Sequence, residues 1–456
     1  MKMDLIVKWI LVSYTSVSSG RASGISISDT FRAGKIIDTV ICKADPTQSY
    51  ALYIPQKGNR EALPVIYFFD PHGDGALPLN KYKSLSEAYG FILIGSNNSK
   101  NGNDFAATER IWRHLSDDTR GRLKINSSRI YTCGFSGGAK VAGYVALQHP
   151  GIRGVIANGA GLPDGTRAGD FTFSFTAIAG EGDMNLTELV GITGELDKSR
   201  TRHRIILFDG KHEWAPVASM GMAFAGLQFD AMKEGLIPGD ESFINRYMAK
   251  SRQRIEVCSA ANQLLKARQE SQLSLNFLEG LTDQVRWFKD KAASLANDPQ
   301  YQKQRQARDN LLVREQNTKA EYMQEFQHGD RNYWNKVIAD LKKGAGTGTE
   351  ERAMYQRLLA YLSLAFYSIS NHLINSNENN EARHFVELYQ MADPANSEAW
   401  YFSALLHARD GQIQAAESDL LKAAALGFRD RKRLEQQQEF KNLFTATNFS
   451  RIEGKM

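Results

Sequence analysis

The sequence predicts an α/β fold, a mostly parallel sheet covered by helices, followed by a C-terminal all-α domain. Three observations carry that expectation. Short apolar runs rich in β-branched and aromatic residues recur along the first half of the 456-residue chain, separated by amphipathic stretches. Most of these runs do not alternate polar with apolar residues, the pattern of strands buried on both faces and hence of a parallel sheet. After Pro238-Gly239 the strand signal stops, and Gln, Arg, Lys, Glu, Ala and Leu, which favour helices, take over.

Residues 1–24 come first. They carry Lys2 and Lys8, the apolar run Trp9-Ile-Leu-Val12 and small residues from Ser13 to Gly24, so they read as an export signal peptide or as an apolar N-terminal arm. A signal would send the protein to the periplasm or the medium; an arm would leave it in the cytoplasm. The sheet domain is expected over 31–238. Its strands are Tyr50-Ala-Leu-Tyr-Ile54, Pro64-Val-Ile-Tyr-Phe-Phe69, Phe91-Ile-Leu-Ile94, Arg129-Ile-Tyr-Thr-Cys133, Gly154-Val-Ile-Ala157, Phe171 to Ala179 and Arg204-Ile-Ile-Leu-Phe208. Helices such as Phe105 to Leu123, Ala139 to Gln148 and Val217 to Lys233 cover them. With every strand placed before it, the sheet and its core should be complete at Pro238.

Residues 239–345 read as a helical region. Leu278, Leu281, Val285 and Phe288 sit at 3-4-3 spacing, which predicts one helix with one buried face. Gly344-Ala-Gly-Thr-Gly-Thr349 reads as a linker. Within 346–456 three pairs stand one repeat apart: Phe366 and Trp400, Ala382 and Ala416, Val386 and Leu420. Their common offset is the period of tetratricopeptide helix pairs, about 34 residues. Pro394 falls between the two units, and Gly411 falls where the second must turn. The region resembles tetratricopeptide repeats and offers a surface for a protein partner. Two units leave an apolar flank open, so the preceding helices should cover it.

Composition narrows the function. The chain is 42% hydrophobic and 23% charged, as a globular protein should be. Lys+Arg 56 against Asp+Glu 51 leaves +5 with no dense basic block, so nucleic acid is not an expected partner. Cys42, Cys133 and Cys258 lie far apart with no C-x-x-C pair, which removes a zinc ribbon or disulfide scaffold. Neither a metal nor a cofactor is called for.

The sharpest local feature is Gly134-Phe-Ser136-Gly-Gly138. Average Gly and Ser usage gives about 0.2 chance matches to G-x-S-x-G in a chain this long. Here a strand enters it and a helix leaves it, the context of a nucleophile elbow. A serine hydroxyl needs an adjacent base, itself oriented by a carboxylate. Gly180-Glu-Gly-Asp183-Met-Asn185 and Asp209-Gly-Lys-His212-Glu-Trp214 each follow a strand, where open α/β sheets set their ligands. Asp183 and His212 are the candidates, with Glu181 as the alternative acid and Asp209 as a turn cap. His72 lies in another candidate loop, whereas His114, His149 and His203 read as structural. The oxyanion of acyl transfer needs N–H donors. Gly137 supplies one amide. The loop Asp70-Pro-His72-Gly-Asp74-Gly75 supplies the second, from Asp74 or, failing that, Gly73, since Pro71 has no N–H. Ser96-Asn-Asn-Ser-Lys-Asn-Gly102 follows another strand and could hydrogen-bond substrate.

These residues, across 36–238, look like an α/β-hydrolase of the dienelactone-hydrolase, feruloyl-esterase and polyhydroxybutyrate-depolymerase-like group. The resemblance implies a serine hydrolase acting on carboxylic esters, small or linked to polysaccharide. It implies Ser136 as nucleophile, His212 as general base and acid, and Asp183 as orienting acid. The same triad also cleaves amides, so a peptidase is one alternative; an inactive hydrolase fold used for interaction is another.

Overall fold

The structure, a computed structural model, describes residues 31–56, 62–348 and 351–456. The expected signal or arm at 1–24 lies outside the described residues. The chain divides into two compact units, the first ending at Asn310 and the second running from Leu311 to Met456.

The first unit is built on an eight-stranded sheet: β1 (Ile36–Ile41), β2 (Ser49–Tyr53), β3 (Leu63–Phe69), β4 (Ile92–Ser96), β5 (Ile125–Phe135), β6 (Ile152–Asn158), β7 (Ser174–Gly180) and β8 (His203–Phe208). Their order across the sheet is β1-β2-β4-β3-β5-β6-β7-β8. β1 and β2 run antiparallel to each other and β2 to β4, and all other pairs are parallel, with Phe68 level with Cys133, Gly134 with Ala157, and Gly180 with Phe208. The fold class is the expected one. β1, which no apolar run announces, is an addition: it is an edge strand with Asp38 and Thr39 exposed.

Strand periodicity sorts the core onto two faces. Tyr67, Phe69, Val155 and Ala177 look toward α2 (Phe105–Arg122), α3 (Gly137–Gln148) and α4 (Leu186–Leu196). Ile66, Phe68, Ile156 and Ile178 look toward α1 (Ala76–Tyr89) and α5 (Val217–Lys233). The core of this second face does not stop at Pro238. It continues through Ile244, Met248 and Ile255 of α6 (Glu241–Ala260), Phe277 of α7 (Leu264–Leu278) and Phe288 of α8 (Arg286–Ala296). The expected boundary therefore falls inside a compact unit, because strands end at 238 while apolar burial does not.

The expected single helix through Leu278 and Phe288 is two. Gly280, at φ 82°, ends α7, and a 3₁₀ turn (Asp283–Val285) leads into α8. Leu278 and Phe288 are both fully buried all the same, so the spacing reported burial and not continuity.

Helix α9 (Pro299–His328) carries the chain into the second unit, which is all-α: α10 (Arg331–Ala345), α11 (Arg352–Asn375), α12 (Asn379–Ala392), α13 (Ser397–Arg409), α14 (Ile413–Ala425), α15 (Arg431–Gln436), α16 (Gln438–Leu443) and α17 (Ala446–Glu453). Gly344 and Ala345, read as linker, close α10. Trp334 and Leu341 of α10 pack with Leu362 and Phe366 of α11 in this unit's core. Ala382 and Ala416 are fully buried at like places in α12 and α14, as are Val386 and Leu420. Phe366 and Trp400 differ, for Trp400 is half-buried and donates to Pro394 O at 3.0 Å. Gly411 turns the chain between α13 and α14 at φ 71°. Among the described residues no helix is long and apolar enough to cross a membrane.

Candidate active site

The carboxyl ends of β3, β5, β6, β7 and β8 converge on one place. β5 delivers Ser136, whose backbone stands at φ 53°, ψ −124° immediately before α3. That turn is sharp enough that a Cβ on Gly134 would lie 1.9 Å from Gly138 O, and one on Gly138 would lie 1.9 Å from Phe69 O. Glycine is obligatory at both, and the serine between them takes the strain. Ser136 N donates to Asn158 O at 2.9 Å, which ties the elbow to the end of β6.

His212 meets it from the loop after β8. Its Nε2 is 3.0 Å from Ser136 Oγ, and its Nδ1 is 3.0 Å from Asp183 Oδ1. A carboxylate only accepts, so Nδ1 carries the proton and Nε2 is left as the acceptor facing the hydroxyl. Asp183 is completely buried; its Oδ1 also accepts from Asn185 N at 2.9 Å. The two loops are stitched together where Gly182 N donates to Gly210 O at 2.8 Å. Phe135 backs the imidazole, with ring centroids 4.7 Å apart.

Glu181, the alternative acid, points elsewhere: its carboxylate is 3.6 Å from Lys266 of α7. With Asp209 it lines a separate cavity of about 380 Å³ beside β8. The other histidines fall as read: His114 pairs with Asp45, His149 with Glu109 and His203 with Asp197. The side chain of His72 is exposed.

The loop after β3 is held by Asp70. This buried carboxylate accepts from His72 N and from Trp214 Nε1, each at 2.9 Å, and so fastens the β3 loop to the histidine loop. Burial pushes its pKa up, but the His72 side chain, Trp214 and the His72 amide outweigh that and hold it below the ordinary carboxylate value. Gly73 N donates to Asp70 O and Gly75 N to Asn97 Oδ1. Both amides are thus engaged, whereas Asp74 N has no acceptor among the described residues. The Asp74 side chain turns away and accepts from Leu77 N at 3.0 Å. Gly137 N belongs to the first turn of α3, where amides have no acceptor inside the helix.

Sequence reasoning missed Asn158 and Gly159. Buried Asn158 accepts from Ala215 N at 2.8 Å and donates to Glu213 O at 3.2 Å, bracketing the histidine loop. A Cβ on Gly159, which sits at φ 71°, would press on Phe135, Asp183 Oδ2 and His212 Cε1 at 2.9, 3.1 and 3.2 Å. The available signal was an Asn-Gly pair closing an otherwise apolar strand.

No family model matches the chain, and no curated protein does. Among solved structures it is similar to a Pyrobaculum calidifontis esterase, at 14% identity and TM-score 0.35 over 44% of this chain and 85% of that one. It is similar to fungal esterases from Rhizomucor miehei, at 12% and 0.35 over 44% and 85%. It is also similar to an S-formylglutathione hydrolase from Agrobacterium tumefaciens, at 16% and 0.31 over 40% and 89%. At these values each is a distant likeness, and the site has to be read from its own residues.

Proposed function

We propose that the protein is a serine hydrolase of carboxylic esters, small or attached to polysaccharide. One observation carries the reading: a buried carboxylate, an imidazole and a strained serine stand in one hydrogen-bonded line, at 3.0 Å and 3.0 Å. Ser136 Oγ attacks the ester carbonyl carbon while its proton passes to His212 Nε2. The tetrahedral oxyanion is held by the amides of Gly137 and Asp74. Collapse breaks the bond to the alcohol oxygen, which takes the proton from His212 and leaves an acyl-enzyme. Water then gives a proton to Nε2 and attacks the acyl carbon; Ser136 recovers that proton as the carboxylic acid departs. Asp183 stabilises the imidazolium in both halves and fixes its tautomer.

Ser136→Ala tests this directly. The variant should keep its fold, lose fluorophosphonate labelling, and lose turnover of p-nitrophenyl acetate by about 10⁴-fold or more. Retention of most of the turnover would discard the triad. Comparing the ester with its amide analogue separates an esterase from a peptidase on the same residues. In the same reading α11–α14 form two tetratricopeptide-like units that receive a protein partner, and the N-terminal segment serves export.

A further inference from the structure

We propose that Asn101 is a third donor to the oxyanion of this site, through its side-chain Nδ2, an assignment that rests on the ester-hydrolase reading. The loop between β4 and α2 is rich in polar side chains, and most of them are committed. Asn97 accepts from Gly75 N and donates to Asp38 O and Ser49 Oγ. Asn98 accepts from Ser49 N and donates to Thr47 O. Ser96 Oγ accepts from the amides of Asn98 and Ser99, and Asn103 Oδ1 accepts from Lys100 N. These bonds fix the loop. The Asn101 side chain takes part in none of them: it is exposed and has no hydrogen-bond partner among the described residues.

Its position is nevertheless defined. Asn101 N donates to Pro71 O at 2.8 Å, which fastens the residue to the loop that carries Asp74. On the other side its amide lies against the residue following the nucleophile: a Cβ on Gly137 would stand 2.0 Å from Asn101 Oδ1 and 3.6 Å from Nδ2. Asn101 thus joins the loop that carries Asp74 to the residue whose amide is the first donor assigned to the oxyanion, in space that any side chain at 137 would fill. That gives the second variable position of the G-x-S-x-G run a reason to be glycine. A half-turn about the Cβ–Cγ bond exchanges Oδ1 and Nδ2, and with neither atom bonded the exchange breaks nothing. A neutral amide offers a donor there without a charge that would bind a ground-state carbonyl equally well, which is what selective stabilisation of the transition state requires.

Asn101→Ala and Asn101→Asp decide the matter, with kcat and KM measured on p-nitrophenyl acetate and melting temperature as the control on folding. Loss of one oxyanion donor should lower kcat by roughly 10²–10³-fold and leave KM within about threefold. Asn101→Asp keeps the shape, removes the donor and adds a negative charge, so it should fall below Asn101→Ala. A residue that merely supported the loop would give the reverse order, and that order would overturn the assignment. So would a kcat within about threefold of wild type in Asn101→Ala while wild type turns over and labels at Ser136. If wild type neither labels nor cleaves any ester, this assignment falls together with the hydrolase reading.

Discussion

The two faces of the sheet are covered differently. One face carries a single layer, α2, α3 and α4, all drawn from the stretch that also contains the strands. The other carries α1 and α5 and then a further set, α6, α7 and α8, drawn from chain beyond the last strand. The contact is aromatic: the Phe229 ring of α5 lies 5.0 Å from Phe243, 5.0 Å from Tyr247 and 5.5 Å from Phe277 between centroids. Polar bonds add to it, Lys233 Nζ to Asn276 O and Asn276 Nδ2 to His203 O on β8. The unit that folds is therefore longer than the pattern that announces it, and the difference between the faces locates where.

The largest effect follows from cutting there. A chain ending at Gly239 keeps every strand, Ser136, Asp183 and His212, yet uncovers Phe229 and Tyr89, whose rings meet Phe243, and Met222, which faces residues of α6 and α7. Each such side chain is worth about 1.5–3 kcal/mol when buried, comparable in sum to a domain's whole stability. That chain should be insoluble or lack a cooperative melt by circular dichroism, whereas one ending at Asn310 should melt cooperatively and keep its turnover. A folded, active chain ending at Gly239 would make the second covering ornamental.

That outcome bears on what could be read from the sequence. The parallel strands were legible because strands buried on both faces are continuous apolar runs, and the elbow because its glycines, serine, entering strand and leaving helix are adjacent in sequence. The helical character of α6 to α8 was legible, but neither the break at Gly280 nor their place in the sheet unit was. Their apolar residues are spaced among Gln, Arg and Glu, and nothing local tells which surface an amphipathic face will meet. Loop order found the segment that holds both Asp183 and Glu181 but could not choose between them; what sets them apart is that Asp183 reaches His212 whereas Glu181 reaches Lys266. The bond from Trp214 to Asp70 and the contacts of Asn158 and Gly159 with the histidine loop join residues distant in sequence, so no spacing marks them.

A smaller effect sits at the seam between the sheet and the tail of its own unit, helices α6 to α8. Arg204 of β8 bonds both oxygens of Asp230 in α5, donates to Thr176 Oγ1 at 2.8 Å, and lies under the Phe277 ring at 5.2 Å. Burial pushes the Asp230 carboxyl up, but Arg204, with Ser174 and Arg202, overrides it and holds the pKa below the ordinary value. Arg204→Met leaves that carboxylate buried with its main partner gone and should cost about 3–5 kcal/mol in urea unfolding at pH 7. Arg204→Met with Asp230→Leu should recover most of it. Because the folded pKa is depressed, the pair's contribution is present above the unfolded carboxyl value of about 3.9 and is lost as pH falls through the lower folded one. Wild type should therefore lose more stability between pH 5 and 2 than the double variant. Equal losses would remove the pair from the account. Phe277→Ala, against the same guanidinium, should cost about 3–5 kcal/mol, and the activity should melt with it. Unfolding of the tail alone, with turnover intact, would separate the two coverings after all.

The smallest effect is that of Glu181, which stands two residues from Asp183. Glu181 leaves the end of β7 toward the tail, where its ion pair with Lys266 is more than a third exposed on each side and should contribute no more than about 1 kcal/mol. Asp183 leaves toward His212 and is buried. Glu181→Gln should thus shift the melting temperature by a few degrees at most and leave kcat/KM for a small ester within about twofold. Asp183→Asn keeps the shape but presents an amide to His212, favouring the tautomer with its proton on Nε2, and should lower kcat by about 10⁴-fold. Equal losses in the two variants would mean that Glu181 shares the histidine. A loss confined to Glu181→Gln would move the acid to it and would require its side chain to swing from Lys266 to the far side of β7.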